Sequence, residues 1–318
     1  MMQLTDVKAY YDTPRGPVQA VDGVTLDIRG NEVLSIAGES GCGKSTLVKV
    51  LYDYMPHPLR LVSGEILATI PQDNGETLTL REHEIRDYWW RHISYIPQAS
   101  MSILNPVVRV ERQFYDAAGG RYARGNRREL RKQIISYLRE LELPEEVLTS
   151  FPHQLSGGMR QRVIVALATF MHPKIVLGDE PTTALDVVVQ RGILTMLTRL
   201  QRQMQNTLVI VSHDMGVHYQ ISDRMAIMYA GKIVELGPTE ALFHGAMHPY
   251  TDNLIKSLPR IGDRDVRTGI PGAPPSLLNP PKGCRFEARC PHVMDVCRRE
   301  EPPFHEERDD HMVACHLF

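Results

Sequence analysis

The sequence has no apolar run long enough to cross a membrane and no excess of either charge. Its longest nearly uninterrupted apolar stretch is nine residues, Val163 to Met171, whereas a membrane-spanning helix needs about 20. The 36 basic and 38 acidic residues leave a net charge of −2, so no basic excess indicates nucleic-acid binding. Residues Met1 to Asp6 lack the basic and apolar regions of a signal peptide. We therefore expect a cytoplasmic chain that meets membranes only through partners.

The chain also lacks an internal repeat, and its cysteines are few and uneven. Its 318 residues, 42% of them apolar, suffice for one large domain plus an appendage. Cys42 stands apart, while the other four cysteines fall in the last 35 residues. Pro271 to Pro281 contains five prolines in eleven residues, which predicts an extended linker. We predict a nucleotide-binding core at residues 1–240 and an extension at 241–318.

Residues Gly38 to Ser45 match the phosphate-binding pattern G-x-x-x-x-G-K-[ST]. Its glycines let backbone N–H groups face phosphate oxygens, and Lys44 reaches the β and γ phosphates. The run Glu32 to Ala37 predicts a buried strand before the loop, and Ser45 to Leu51 predicts a helix after it. The predicted nucleotide contacts come from Gly38, Glu39, Ser40, Gly41, Cys42, Gly43, Lys44, Ser45 and Thr46. Cys42 itself is most simply a small filler.

Two further apolar runs end in residues that can act on phosphates. Lys174 to Gly178 precedes Asp179 and Glu180, and Thr207 to Ser212 precedes His213. We predict that Asp179 holds magnesium through water, together with Ser45. Glu180, one residue on and across the strand line, would be the general base. Read alone, the acid pair could cap a turn and the histidine could be structural, but Lys44 favours catalysis.

Other segments supply the outline of an α/β fold. Val18 to Ile28 and Ser63 to Thr69 predict antiparallel strands, and Met225 to Gly237 predicts a hairpin that ends the core. Leu130, Ile134, Leu138 and Leu141 form one stripe of a predicted helix, which indicates packing.

The pentad Leu155 to Met159 precedes another helical pattern, Arg160 to Ala168. Ser156 is a good N-cap, and Gly157 and Gly158 allow close approach to a second anion. Alone, these residues would predict only a flexible helix cap. The phosphate loop, Gln98, the pentad, Asp179-Glu180, the D-loop Ala184-Leu185-Asp186 and His213 follow in the order of ATP-binding-cassette (ABC) proteins. The chain resembles that family over most of its length.

This resemblance implies the fold of an ABC ATPase nucleotide-binding domain: a P-loop NTPase core, an antiparallel β subdomain and a helical subdomain at about 98–165. It implies that two cassettes pair head to tail, with each ATP between one subunit's phosphate loop and the other's Ser156, Gly157 and Gly158. Gln98 would contact Mg²⁺, and His213 would contact the γ-phosphate. An aromatic residue would stack on adenine. Tyr11 aligns best, with Tyr10 as the alternative.

The four late cysteines, Cys284, Cys290, Cys297 and Cys315, predict a metal site. Their spacing lacks the C-x-x-C knuckle of most zinc sites, and disulfides are unfavourable in a reducing cytoplasm. Four thiolates suit an iron–sulfur cluster, with zinc or unligated thiols as alternatives. The segment resembles the extension of oligopeptide and dipeptide importer ATPases, through His248 to Thr251 and Gly283 to Pro291. That resemblance implies [4Fe-4S] ligation by the four cysteines, although the neighbouring His316 could enter the ligand set.

The importer resemblance implies an ATP-hydrolysing subunit, with ATP and Mg²⁺, on the cytoplasmic face of the inner membrane. Its partners would be two transmembrane permeases, a second ABC ATPase, either a copy or a paralogue, and an extracytoplasmic solute-binding protein. The solute would be an oligopeptide, a dipeptide, nickel or an oligosaccharide. Ser100 to Val110 is the candidate permease-docking surface. The alternative is a soluble ABC ATPase with a regulatory or redox-sensing iron–sulfur tail.

Overall fold

The strands of the protein form two sheets in the described residues of the computed structural model, which are 1–72, 75–98, 103–123, 127–183, 185–258 and 269–318. The strands, in chain order, are β1 (Met2–Thr13), β2 (Gly16–Ile28), β3 (Val33–Ala37), β4 (Leu59–Pro71), β5 (Thr77–Arg81), β6 (Ile93–Ile96), β7 (Ile175–Asp179), β8 (Thr207–Val211), β9 (Arg224–Tyr229), β10 (Lys232–Pro238), β11 (Phe304–Arg308) and β12 (His311–Ala314). The smaller sheet is antiparallel, in the order β2-β1-β4-β5. The predicted antiparallel strands are thus present as β2 and β4.

The larger sheet has eight strands in the order β11-β12-β10-β9-β3-β8-β7-β6. From β9 to β6 neighbouring strands are parallel, and from β9 to β11 they are antiparallel. Every residue of β3, β7 and β8 is buried, because both faces of this sheet are covered. The parallel strands therefore deliver their carboxyl ends to one edge, where open α/β sheets bind ligands.

The helices cover the larger sheet. The three that lie between residues 110 and 169 also pack on one another and are called the helical lobe below. The helices are α1 (Lys44–Leu51), α2 (Val110–Ala123), α3 (Arg127–Glu140), α4 (Gly157–Thr169), α5 (Val187–Met204), α6 (Met215–Ile221), α7 (Thr239–Gly245), α8 (Pro249–Lys256) and α9 (Asp295–Arg299). Short 3₁₀ turns lie at Glu82–Tyr88, Glu145–Thr149, Pro152–Gln154 and Glu287–Arg289. The predicted stripe of Leu130, Ile134, Leu138 and Leu141 is buried in this lobe. No helix of the described residues is long and apolar enough to span a bilayer.

Alternate side chains of the central strands enter two cores. Leu34 and Ile36 pack toward α1 and the antiparallel sheet. Val33, Leu208 and Ile210 pack with the helical lobe on the other face. This alternation of the two faces, with apolar residues on both, explains why the central strands read as continuous apolar runs.

The extension after residue 240 adds strands to the core sheet. β11 pairs with β12, and β12 pairs with β10 through Glu235 opposite Val313. Residues 271–281 form no helix or strand, and the Gln19 N–H donates to the Leu277 carbonyl at 2.8 Å. The described residues of the extension therefore contact the core at the Pro-rich segment and at β12. The division near residue 240 stays a prediction from composition.

Candidate functional site

The phosphate-binding loop joins β3 to α1 at the carboxyl edge of the larger sheet. Gly43 caps α1 with a φ of 112°, and a Cβ there would lie 2.0 Å from the Ala20 carbonyl oxygen. The buried Lys44 ammonium donates to the carbonyl oxygens of Gly38 at 2.7 Å and Glu39 at 2.9 Å. The loop thus curls around its own lysine, with the amino end of α1 beside it.

Ser45 and Asp179 meet at the end of this loop. The Ser45 hydroxyl donates to Asp179 Oδ1 at 2.8 Å, and the Tyr95 hydroxyl donates to Oδ2 at 3.2 Å. Asp179 is almost fully buried, and burial raises the pKa of its carboxyl. Hydroxyl and carboxylate oxygens at this spacing are the hard ligands that Mg²⁺ prefers. The pair therefore fits a magnesium site.

Glu180 lies among three polar side chains at the same edge. Gln98 Nε2 donates to Glu180 Oε2 at 3.3 Å, and Thr183 Oγ donates to the same oxygen at 2.8 Å. His213 Nδ1 is 3.5 Å from Glu180 Oε1. The structure therefore brings together the three predicted catalytic residues, Gln98, Glu180 and His213.

The direction of Glu180 has a different cause from the predicted strand alternation. β7 ends at Asp179, and Glu180 adopts a left-handed conformation with a φ of 48°. A non-glycine residue in this region is uncommon and costs free energy, so the surrounding structure must hold it. The Glu180 N–H donates to the Val211 carbonyl at 3.0 Å, which fixes the turn. The turn, rather than the strand, aims this carboxylate.

Of the two candidate adenine-stacking residues, Tyr11 is nearer the loop. Its hydroxyl is 3.1 Å from Thr46 Oγ, on the first turn of α1. Tyr10 points the other way along β1, where its hydroxyl donates to Asp22. The alternation of side chains along one strand thus separates the two.

Three residues of the predicted pentad, Ser156, Gly157 and Gly158, are called the signature residues below, and they lie apart from the phosphate loop of the same chain. Ser156 caps α4 by accepting from the Met159 N–H at 3.3 Å, and Gly157 and Gly158 are the first two helical residues. In the described residues, no hydrogen bond joins these three residues to the loop. In the D-loop, Ala184 lies outside the described residues, and Asp186 caps α5. A second molecule is needed if the signature is to meet a phosphate.

The four late cysteines line one small cavity. Its walls include Cys284, Cys290, Cys297 and Cys315, and the Cys284 N–H donates to the Cys297 carbonyl at 2.7 Å. All four are unpaired thiols, and burial raises the pKa of Cys284 to about 11. His316 also lines the cavity, but its Nε2 donates to the Glu300 carbonyl at 3.0 Å.

The spacing of these thiols bears on the kind of metal group they could hold. Within the described part of the chain, no three His, Cys, Asp or Glu side chains are placed to hold a metal ion. The [4Fe-4S] ligation that the resemblance implies, and the zinc alternative, therefore stay predictions.

Some residues that shape the site carry no signal in the sequence. Tyr95 reaches Asp179 from the neighbouring strand β6, and the buried Gln161 of α4 donates to the Pro181 carbonyl after β7. Arg289 of the extension binds the Glu39 carboxylate. Tyr95 alone could have been suggested, because it precedes Gln98 on a strand that ends at the same edge. The other two contacts follow from tertiary packing.

Fold and site together define a P-loop ATPase of the cassette type. A phosphate loop, a buried strand-end aspartate and an adjoining glutamate, glutamine and histidine lie at one edge of a parallel sheet. Residues 21–183 match the family described as ABC transporter, and residues 234–297 match the oligopeptide/dipeptide transporter C-terminal region. The chain therefore belongs to the ABC transporter family, in its oligopeptide/dipeptide branch.

Individual relatives are similar to this chain over its full length. The dipeptide transport ATP-binding protein DppD of Caldanaerobacter subterraneus is 40% identical, with 100% of this chain and 97% of the relative covered. The oligopeptide transport ATP-binding protein OppD of Bacillus subtilis is 36% identical, with 100% and 88% covered. The dimeric structure of a bacterial ABC transporter cassette, MJ0796, superposes with a TM-score of 0.62 at 26% identity, over 75% of this chain and 99% of that one. The predicted family, fold and ATPase class are confirmed.

Proposed function

We propose that this chain drives peptide import by hydrolysing ATP between two paired cassettes. The observation that carries the proposal is the meeting of Glu180, Gln98 and His213 beside the Ser45–Asp179 pair. These are the groups that a phosphoryl transfer to water requires at one place: phosphate binding, charge neutralisation and a base.

In the proposed mechanism, Lys44 and the backbone of Gly38 to Thr46 bind the phosphates of ATP. Ser45 and Asp179 would hold Mg²⁺, with Gln98 nearby, and the ion would neutralise phosphate charge. Glu180 takes a proton from the attacking water as general base. His213 lies across from Glu180 and orients the γ-phosphate. Tyr11 stacks on the adenine.

The second half of each site comes from another cassette. Among the described residues, Ser156, Gly157 and Gly158 make no hydrogen bond to the loop of their own chain, but they form a helix N-terminus that suits an anion. Val187 and Val188, beside the D-loop, are exposed by 80% and 81%, as residues awaiting a partner surface would be. Head-to-tail pairing would bring the signature of one cassette to the ATP of the other. The partner is a second copy or a paralogue.

Transport requires permeases, and the helical lobe offers a place for them. Residues 99–102 lie outside the described residues, so the first part of the predicted surface Ser100 to Val110 is not described. Ile103 and Val107 are exposed by 49% and 79%. These apolar side chains, close in sequence to Gln98, support docking of two permeases there, at the cytoplasmic face of the inner membrane. A solute-binding protein outside the membrane would deliver the solute.

The solute we propose is a peptide. The two relatives described above carry dipeptide and oligopeptide names, and the C-terminal region matches a peptide-transporter family. These findings favour peptides over nickel or oligosaccharides. For the extension, we propose a structural [4Fe-4S] cluster on Cys284, Cys290, Cys297 and Cys315, supported by their shared cavity. In that role the four thiolates would bind iron, and the cluster would brace the extension.

The variant Glu180→Gln tests the mechanism. Removing the general base should lower ATP turnover by roughly 10²- to 10⁴-fold while ATP binding persists. Size-exclusion chromatography with ATP should then show a trapped dimer. Glu240→Gln, an exposed carboxylate at the start of α7, is the matched control and should hydrolyse ATP like the wild type. Near-wild-type turnover by Glu180→Gln would refute the assignment of the base.

A further inference from the structure

One arginine of the extension reaches the phosphate-binding loop. Arg289 ends the 3₁₀ turn Glu287–Arg289, directly before Cys290. Its guanidinium binds the Glu39 carboxylate through two bonds, Nη1 to Oε2 at 2.7 Å and Nη2 to Oε1 at 2.9 Å. The two residues are 250 positions apart in the chain. Paired bonds of this kind are strong and fix both partners in orientation.

The arginine is fully engaged. Besides Glu39, it donates to the Tyr229 hydroxyl at 3.2 Å and to the carbonyl oxygens of Ile270 at 3.1 Å and Pro271 at 3.0 Å. These contacts use all five of its N–H donors. Only 4% of its side chain is exposed, and the pairing with Glu39 raises the pKa of Arg289. Arg289 is therefore a rigid strut between the extension and the loop.

Glu39 passes this constraint to the phosphate-binding lysine. The Glu39 carbonyl accepts from Lys44 Nζ at 2.9 Å, and the Glu39 N–H donates to the Tyr250 hydroxyl at 2.8 Å. The carboxylate, the N–H and the carbonyl of this one residue are thus all held. Two of the three partners, Arg289 and Tyr250, belong to the extension.

Charge gives the pairing a second consequence. Glu39 places a negative carboxylate on the loop that must receive the polyphosphate of ATP. The carboxylate and the polyphosphate are both negative and therefore repel each other. Solvent screens this repulsion less because Glu39 is half-buried. Only Arg289 forms an ion pair with this carboxylate among the described residues. Without that guanidinium, the carboxylate would face the incoming phosphates unpaired.

We propose that Arg289 is a positioning residue for ATP binding, which neutralises Glu39 and fixes the loop that holds Lys44. The inference rests on the phosphate-binding role of the loop in the proposed function, and it does not depend on transport or on the general base. The ligand affected is a nucleoside triphosphate. Arg289 acts on its binding through Glu39 and does not contact the nucleotide itself.

The test measures ATP affinity of the full chain by titration with a fluorescent ATP analogue, without turnover. Arg289→Gln should weaken binding about 10-fold, equal to about 1.4 kcal/mol. The double variant Arg289→Gln with Glu39→Gln should return to within about 3-fold of the wild type, since no unpaired carboxylate remains. In steady-state assays Arg289→Gln should raise KM with kcat little changed, because ground-state binding is what it loses.

Arg298→Gln is the matched control. Arg298 also adjoins a cysteine, Cys297, and also faces a carboxylate of the extension, Glu287 at 3.9 Å, but its side chain is 63% exposed. Its replacement should leave ATP affinity unchanged. The proposal is overturned if Arg289→Gln binds like the wild type, or if adding Glu39→Gln restores nothing.

A folding defect would not remove the test. Melting curves report whether Arg289→Gln is folded. If it is not, the double variant is compared with Glu39→Gln alone, because neither contains an unpaired carboxylate on the loop. Near-equal affinities support the proposal, and a further 10-fold loss in the double variant overturns it. Failure of the proposed hydrolysis mechanism would instead appear as unaltered turnover in Glu180→Gln, with these affinities unaffected.

Discussion

His218 should make the protein sensitive to acid. It lies on α6, behind the loop that carries His213, and its side chain is fully buried. Its Nε2–H donates to the Ser212 carbonyl at 3.0 Å, while Nδ1 has no hydrogen-bond partner in the part of the chain that is described. Burial lowers the pKa of His218 from 6.5 to about 4, because the charged ring would lose its hydration. The neutral ring thus holds the backbone just before His213.

The sign and size of the effect follow from this shift. The unfolded chain protonates His218 near pH 6.5, whereas the folded chain keeps it neutral to about pH 4. Between these values the unfolded state binds more protons, so the free energy of unfolding falls as the pH falls. Lowering the pKa from 6.5 to about 4 corresponds to about 3 kcal/mol when complete, and to about 2 kcal/mol at pH 5. Well above pH 6.5 His218 is neutral in both the folded and the unfolded state, so this loss of stability is absent.

The variant His218→Gln isolates this contribution. A glutamine amide can still donate to the Ser212 carbonyl but does not titrate. Urea unfolding at about pH 7.5 and about pH 5 gives the loss of stability on acidification for each protein. The wild type should lose about 2 kcal/mol more than the variant.

The control is His83→Gln, because the His83 side chain is 69% exposed. This variant should lose as much stability on acidification as the wild type. The reasoning is refuted if wild type and His218→Gln lose the same free energy between the two pH values. That result would mean that the folded protein protonates His218 as readily as the unfolded chain does.

Two further predictions concern the phosphate loop and the cysteine cavity. Gly43→Ala should abolish ATP binding, because its Cβ would lie 2.0 Å from the Ala20 carbonyl oxygen, whereas Gly41→Ala meets nothing within 4 Å and should cost only about 1–2 kcal/mol of backbone strain. Nucleotide titration and urea unfolding compare the two, and equal losses would contradict the steric reason. Cys297→Ser should lose iron and sulfide in anaerobically purified protein, while His316→Ala should keep them. Unchanged iron in Cys297→Ser would rule out cluster ligation by that thiol.

The parallel centre of the fold could be predicted because its strands are buried on both faces. β3, β7 and β8 are fully buried and mostly apolar, with Ser35 as the one polar residue inside β3, and residues of the site come at or after the end of each strand. Parallel strands end at one edge, so Lys44, Asp179 and His213 had to converge once the runs were identified. The sequence pattern therefore contains both the sheet and the chemistry at its edge.

Strands β1, β5 and β12 depend on pairings that sequence patterns do not encode. β1 combines alternating polar residues with irregular pairing to both neighbours, and β5 is five residues of mixed character. β12 joins the core sheet through Val313 and Glu235, far apart in the chain. Glu235 is buried and accepts from His311 and from the Met247 N–H. Such contacts join parts of the chain that are far apart in sequence, so local sequence patterns do not predict them.

The packing of the extension on the core explains the spacing of Cys284 and Cys290. Between Cys284 and Cys290 lie two arginines, Arg285 and Arg289, each next to a cysteine. Arg285 pairs with Asp22 of β2, and Arg289 pairs with the phosphate loop. Both arginine side chains leave the cavity toward the core, one from each end of the segment between the two cysteines. The five-residue gap thus serves both tasks, enclosing a cavity and attaching it to the nucleotide site. Because Arg289 adjoins Cys290, we expect a substitution of that cysteine to lower ATP affinity, measured by the same titration as for Arg289→Gln.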